Sequence, residues 1–216
     1  MFDVAVVDYG VGNVTSVRNA FLAIGTSART ATTPQDLQTA DLLVLPGVGA
    51  FAHCMQQLKS HGLTEFLIEH SRSDGPLLGI CVGMQMLFEQ SLEFGTTPGL
   101  GLVPGVVRKL SEGHEGKDRV KVPHVGWAQL NASRPWASTV LNGLDDRAFY
   151  YFVHSYAPEV HSEGIIADVS HGRTTFGAVA GHGRTLGCQF HPERSGRAGL
   201  DFLRVIVTNV SKSGRP

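Results

Sequence analysis

Cysteine is scarce and unpatterned in this chain. Cys54, Cys81 and Cys188 are an odd set of three without C-x-x-C spacing. That argues against a disulfide framework or a zinc site and suits a reducing compartment. Neither sign of charge is in excess. A formal net charge of −1 leaves no electrostatic footprint for nucleic acid or an anionic membrane. No apolar run approaches the ~18 residues of a membrane span. The stretch from Met1 to Asp8 lacks the basic region of a signal peptide and reads as a strand. A cytoplasmic location is therefore expected. Seven histidines (His53, His61, His70, His114, His161, His171 and His182) show no metal-ligand spacing and read as structural or exposed, so no metal site is expected. Internal repeats and long linkers are also missing. A chain of 216 residues buries roughly 70% of its unfolded surface without staples, and one domain over residues 1–216 is expected.

What is present is an alternation of buried strands and amphipathic helices. Val4 to Asp8 reads as a first strand. A helix capped by Asn13 comes next, with Val14, Val17, Phe21 and Ile24 at helical spacing and Gly25 at its end. Ala28 to Ala31 reads as a second strand, and Thr33-Pro34-Gln35-Asp36 as the start of a short helix. Leu42 to Leu45 reads as a third strand, with helices expected over 50–60 and 64–70. Leu77 to Ile80 and a helix from Val82 to Glu89 complete the pattern. It predicts an α/β fold, Rossmann-like, with a mostly parallel central sheet and helices on both faces. After Gly95 the pattern turns strand-rich, at 106–110, 120–122, 148–153, 165–169, 174–180 and 186–190. Antiparallel strands in the C-terminal half are expected there. Residues 111–117 read as a polar mobile turn, 198–210 as a closing helix and 211–216 as a frayed tail.

Cys81 sits where the fourth strand meets a helix, flanked as G-x-C-x-G by Gly79 and Gly83. This is a nucleophile-elbow pattern with cysteine in place of serine. Small neighbours permit a strained turn and close approach of substrate. A helix starting after the thiol would draw its pKa down from about 8.5 and expose thiolate. A buried cysteine acting as a small hydrophobe is the plainer alternative.

A thiolate nucleophile needs a base, and the base needs a carboxylate to orient it. His191-Pro192-Glu193 supplies both after a strand-like run, and a surface His-Glu turn is the alternative. A tetrahedral intermediate also needs backbone N–H donors. The elbow offers that of Val82. The Pro46-Gly47-Val48-Gly49 loop can offer another, because its glycines let the backbone rotate inward. Gly10-Val11-Gly12 begins like a dinucleotide loop, but Thr15 replaces the third glycine and no acidic ribose partner comes after the second strand.

Residues 79–85 and His191-Pro192-Glu193 together resemble the class I glutamine amidotransferases. Four further segments resemble one branch of that family, the glutaminase subunits of imidazole glycerol phosphate synthase. They are Asp8-Tyr9-Gly10 with Gly12-Asn13, Pro46 to Phe51, Val122-Pro123-His124-Val125-Gly126-Trp127, and Tyr151 to Tyr156. The resemblance implies hydrolysis of glutamine to glutamate and ammonia, with no cofactor. It implies a heterodimer with a (β/α)₈-barrel cyclase subunit that uses the ammonia to form imidazole glycerol phosphate and an aminoimidazole carboxamide ribotide in histidine biosynthesis. It makes Cys81 the nucleophile, His191 the acid/base and Glu193 its orienter. Gly49, Gln85, Glu93, His154 and Ser155 would hold the substrate, and the Gly47–Val48 peptide would be the mobile oxyanion element. Asn13, Lys121, Pro123, Trp127, Tyr151 and Arg194 would lie toward the cyclase.

Two residues depart from the family pattern. Arg194 stands where lysine is common, and the two cations differ in geometry and hydration. Ala128 stands where asparagine is frequent. The alternatives are the glutaminase of another amidotransferase, such as that for anthranilate, a γ-glutamyl hydrolase, and a non-catalytic Rossmann-like binding module. The Pro-His-x-Gly-Trp segment argues against the other two glutaminases.

Overall fold

A computed structural model describes residues 2–112, 120–132 and 135–212. Residues 113–117 of the expected turn, His114 among them, and the last four residues of the expected tail lie outside the described residues. The first half runs β1 (Asp3–Val7), α1 (Val14–Ala23), β2 (Ser27–Ala31), α2 (Pro34–Leu37), β3 (Leu42–Gly47), α3 (Phe51–Ser60), α4 (Thr64–Arg72), β4 (Leu77–Cys81) and α5 (Val82–Met86). The second half is mostly strands: β5 (Phe88–Ser91), β6 (Thr97–Pro98), β7 (Val103–Lys109), β8 (His124–Gln129), β9 (Asn131–Ala132), β10 (Phe149–His154), β11 (Tyr156–Pro158), β12 (Ile165–His171), β13 (Thr174–His182) and β14 (Thr185–Cys188). Helix α6 (Gly196–Lys212) closes the chain.

Among the described residues the central sheet has eight strands, ordered β2-β1-β3-β4-β14-β13-β12-β9. The strands from β2 to β14 are parallel, and β13, β12 and β9 continue the sheet antiparallel. The expected α/β class and the strand-rich second half are both found, in a mixed sheet. Helix α1 packs with α6, and α3 with α4 and α5. Two smaller sheets, β11-β7-β5-β6 and β10-β8, stand beside the main one.

The strand order brings four loops together. β1, β3, β4 and β14 are neighbours, and their carboxyl ends lead into Tyr9, Val48, Cys81 and His191, where α/β sheets place their ligands. Solid packing fixes those ends. Val4 to Val7, Leu42 to Leu45 and Leu77 to Ile80 are buried, as a sheet covered on both faces requires. Under the second half, Phe190 packs on Tyr150 at 4.3 Å and on Phe202 of α6 at 5.0 Å between ring centroids. That stack joins the β10-β8 pair and α6 to the segment leading to His191.

The closest backbone approaches are at glycines. A Cβ on Gly83 would fall 1.8 Å from the Leu45 carbonyl oxygen, and one on Gly79 would fall 2.7 Å from the Gly83 carbonyl oxygen. The elbow therefore sits directly on β3, and both glycines are required for contact distance, not for an unusual φ.

Three local expectations fail. The helix after Cys81 stops at Met86, and Phe88–Ser91 is a strand instead of a helical turn. Its partners decide this: Phe88, Gln90 and Ser91 pair with Val103, Val106 and Val107 of β7, and that non-local ladder overrides the helical preference of Met-Leu-Phe-Glu. Residues 120–122 form no strand. Pro123 ends backbone pairing there, the Lys121 carbonyl accepts a bond from the His171 ring at 2.9 Å, and the strand begins at His124. Asn13 does precede α1, but its side chain makes no cap bond. By contrast Thr33 accepts from the Asp36 N–H at 3.3 Å, as the sequence predicts.

Substituting Gly83 by alanine should overpack the β3–elbow contact. We expect a loss of at least about 3 kcal/mol, read as a melting temperature lower by roughly 6–12 °C. An unchanged melting curve would contradict the contact.

Candidate active site

Cys81 occupies a conformation that L-residues rarely adopt, φ 56° and ψ −114°, at the end of β4. Non-glycine residues are held there only when their surroundings fix them. Here β3 on one side, β14 on the other and Gly83 beneath supply that constraint. The turn lifts the thiol into a cavity of about 360 Å³ lined by Val48, Gly49, Gln85, Glu93, His191 and Arg194, among others. Helix α5 has five residues, too short for the dipole effect expected from sequence to dominate.

The candidate base comes from the adjacent strand end. His191 Nδ1 lies 2.8 Å from Glu193 Oε1, and both side chains are almost wholly buried. The Cys81 side chain lines the same cavity and acts on the charge of the ring. Burial alone would lower the pKa of His191. The bonds and charges of Cys81 and Glu193 outweigh burial and push it up to about 10. The ring is thus held toward its protonated form between two acidic groups. A backbone clamp fixes its position: His191 N donates to the Tyr151 carbonyl at 2.9 Å, Tyr151 N donates to Ser195 Oγ at 2.9 Å, and Ser195 Oγ donates to the His191 carbonyl at 2.6 Å. Gly199 of α6 packs so tightly on the Pro192 carbonyl that a Cβ would lie 1.9 Å from its oxygen. The segment carrying His191 therefore cannot shift independently of α6.

Of the residues expected to hold substrate, Gly49, Gln85, Glu93, His154 and Ser155 all line the cavity. Gln85 Nε2 donates to the Tyr156 carbonyl at 2.8 Å and to Gln189 Oε1 at 3.0 Å. Glu93 Oε2 accepts from the Phe51 N–H at 2.6 Å, which ties it to the start of α3. Burial drives the pKa of His154 down to about 3, so it is a neutral ring. Val48 and Val82 line the cavity too, and Gly47 packs under them, its Cα facing Gly83 N and the Val82 side chain.

The residues expected toward a partner are more dispersed. Pro123 and Arg194 line the cavity. Trp127 and Tyr151 are cross-strand neighbours on β8 and β10 with rings 5.8 Å apart, and the Arg194 guanidinium lies over Tyr151. Lys121 lies around an adjoining hollow with Glu112, Val125 and His171, and Asn13 is at the head of α1, outside the cavity lining. His124 has a neighbour the sequence does not reveal: its ring lies 4.2 Å from that of His171. Gln189, whose Nε2 is 3.7 Å from Cys81 Sγ, is a site residue that sequence reasoning misses, although its place two residues before His191 is a signal that points to it.

The profile of the family described as "Glutamine amidotransferase class-I" matches residues 5–207. The chain belongs to the class-I glutamine amidotransferases. Among curated members it is 42% identical over 202 residues to the imidazole glycerol phosphate synthase subunit HisH of Syntrophotalea carbinolica, covering 93% of this chain and 97% of that one. It is 38% identical to the subunit of the same name from Lactococcus lactis subsp. lactis, covering 97% of this chain and all of that one. The fold is also that of the PurLQS structure from Thermotoga maritima, with a TM-score of 0.72 at 16% identity over 97% of this chain and 99% of that one. As an amidotransferase the chain is an enzyme, and the non-catalytic binding module is set aside. Among the described residues no helix is long and apolar enough to cross a membrane.

The His191 arrangement predicts a pH signature. Its folded pKa lies above the ordinary 6.5, so the associated stabilisation is complete below that value and is lost as pH rises through about 10. Glu193→Gln removes one of the causes. Its destabilisation, measured by urea unfolding, should be largest below pH 6.5 and shrink toward pH 10. A deficit that grows with pH would refute the assignment.

Proposed function

We infer that this chain is the glutaminase subunit of an imidazole glycerol phosphate synthase, and that Cys81, His191 and Glu193 perform the hydrolysis. The observation carrying the reading is the buried imidazole bridging Cys81 and Glu193 at the wall of a cavity sized for one amino acid. His191 takes the thiol proton, and the Cys81 thiolate attacks the side-chain amide carbon of glutamine. The oxyanion is met by the N–H groups of Val82 and Val48, after rotation of the Gly47–Val48 peptide. His191 then protonates the departing nitrogen. The C–N bond breaks, ammonia leaves and a thioester remains. His191 next takes a proton from water, whose oxygen attacks the thioester, and glutamate departs as the thiol is restored. Among the described residues Glu193 bonds through its side chain only to His191, by Oε1, which suits a group that orients and does not transfer protons.

Substrate recognition is built into the lining. Glu93 offers a carboxylate to the ammonium group. Gln85 spends its N–H donors on Tyr156 and Gln189 and keeps its oxygen for the substrate. Gly49, Ser155 and the neutral ring of His154 complete the pocket.

Ammonia must leave away from water, because protonation ends its nucleophilicity. The β8-β10 sheet suits a partner that receives it. Val125, Trp127 and Phe149 are each more than half exposed. They share one face with Tyr151 by register, and aromatic residues are favoured at interface centres. A cyclase subunit docked there would also meet Arg194 and Pro123 at the cavity wall, with Lys121 and Asn13 at the margin.

Cys81→Ala should abolish glutamine-dependent cyclisation while leaving ammonia-dependent cyclisation by the partner intact. Loss of both would contradict a separable glutaminase. The lone subunit should hydrolyse glutamine at a small fraction of the rate seen with the cyclase and its ribotide ligand, and full activity alone would sink that expectation. Trp127→Ala should weaken binding to the cyclase at least about tenfold by calorimetry, and unchanged affinity would remove this face from the interface.

A further inference from the structure

Two fully buried polar side chains near Cys81 take no part in that chemistry. Tyr9, just past the end of β1, donates its hydroxyl to the Pro46 carbonyl at 2.7 Å. Cys54, one turn into α3, places its thiol 3.3 Å from the Val48 carbonyl oxygen as donor. The two lie close enough for each to act on the charge of the other. They come from different elements and reach the same short segment from one side.

The carbonyls they hold are informative. Pro46 C=O belongs to the peptide before Gly47, and Val48 C=O to the peptide after Val48. Between them lies one peptide, Gly47 C=O with Val48 N–H, which neither side chain holds. A peptide can turn over with its neighbours fixed if ψ of the residue before it and φ of the residue after it change in opposite senses. Gly47 tolerates such a change, since it has no Cβ. It also has no room for one: a Cβ would lie 2.7 Å from Gly83 N and 3.1 Å from the Tyr9 hydroxyl oxygen. Gly49, at φ +86° with nothing near its missing Cβ, lets the chain leave the segment freely toward α3.

We propose that Tyr9 and Cys54 are positioning residues for the glutaminase reaction, pinning the peptides on both sides of Gly47–Val48 so that this single peptide carries the oxyanion donor into or out of the site. The proposal rests on the glutaminase reading above. Both groups keep their protons at neutral pH. Burial pushes the Tyr9 hydroxyl well above its ordinary range. It also pushes the Cys54 thiol up to about 11. Each is therefore a durable donor to a carbonyl. Without them the peptides flanking Gly47–Val48 would be held less firmly, and the donor would spend less time where negative charge develops.

The test uses the complex with its cyclase and three variants: Tyr9→Phe, Cys54→Ala and Cys54→Ser. Phenylalanine and alanine remove a donor with little change of shape, while serine restores one. Single neutral hydrogen bonds of this kind translate to roughly 3- to 10-fold in rate. Tyr9→Phe and Cys54→Ala should each lower glutaminase kcat by that factor with KM for glutamine within about twofold of wild type, since oxyanion donors act on the transition state. Cys54→Ser should recover most of the loss. The rate of Cys81 alkylation by iodoacetamide, which forms no oxyanion, should stay unchanged, and so should ammonia-dependent cyclisation. Wild-type kcat in both donor-removal variants, or Cys54→Ser as slow as Cys54→Ala, would overturn the proposal. So would losses carried by KM or by alkylation. If Tyr9→Phe fails to fold, the alanine–serine pair at Cys54 decides alone. A wild-type complex that hydrolyses no glutamine, or Cys81→Ala with full activity, would instead defeat the functional reading itself.

Discussion

The contact between the Gly83 backbone and the Leu45 carbonyl sets the distance from the elbow to β3, and the rest of the site is built on that distance. With any side chain at Gly83 the two strand ends would be forced apart. The loop after β3 would then no longer face Cys81, and the cavity between them would lose a wall. The contact is also what holds Cys81 in its unfavourable backbone conformation. The strain is local, whereas the packing that maintains it extends through β3, β4 and β14 into the core, which is why a parallel sheet buried on both faces is a suitable support.

His191 is fixed by an independent route. Its strand, β14, runs parallel to β4, so the ends of both arrive at one edge. Beyond β14 the chain is held by Tyr151, Ser195 and α6 rather than by the sheet. Tyr151 thus has its backbone on the base and its ring on the exposed β8-β10 face beside Trp127. A protein docked on that face would be one residue from the backbone that holds His191. The surface and the chemistry are connected through one residue and its backbone hydrogen bond to His191, with no long chain of side chains between them.

Much of this is legible in the sequence because it is local. The strands of the parallel half are short apolar runs, the elbow is a contiguous motif, and His191 and Glu193 are two residues apart. The strand-ends rule then gathers them without knowledge of any distance. The illegible parts depend on partners remote in the chain. Phe88–Ser91 pattern as helix and become strand because β7 lies alongside. Residues 120–122 pattern as strand and lose their pairing to Pro123 and His171. Nothing local in the sequence tells whether Tyr9 and Cys54 pack as apolar groups or bond as polar ones. Burial fits both readings, and only the carbonyl each one reaches separates a packing role from a polar one. Asn13 shows the reverse error: a residue type favoured at helix starts that makes no cap bond there.

Gln189 has a consequence for selectivity. Its carboxamide is chemically the group this enzyme cleaves, and its nitrogen lies 3.7 Å from the Cys81 sulfur. It survives because of orientation. Its nitrogen faces the sulfur, and its oxygen is engaged by Gln85 at 3.0 Å. Proximity to the Cys81 thiol is therefore insufficient for reaction here. Cleavage requires an amide offered carbon-first with its oxygen toward open donors, and the protein carries within its own active site an uncut example of the other arrangement.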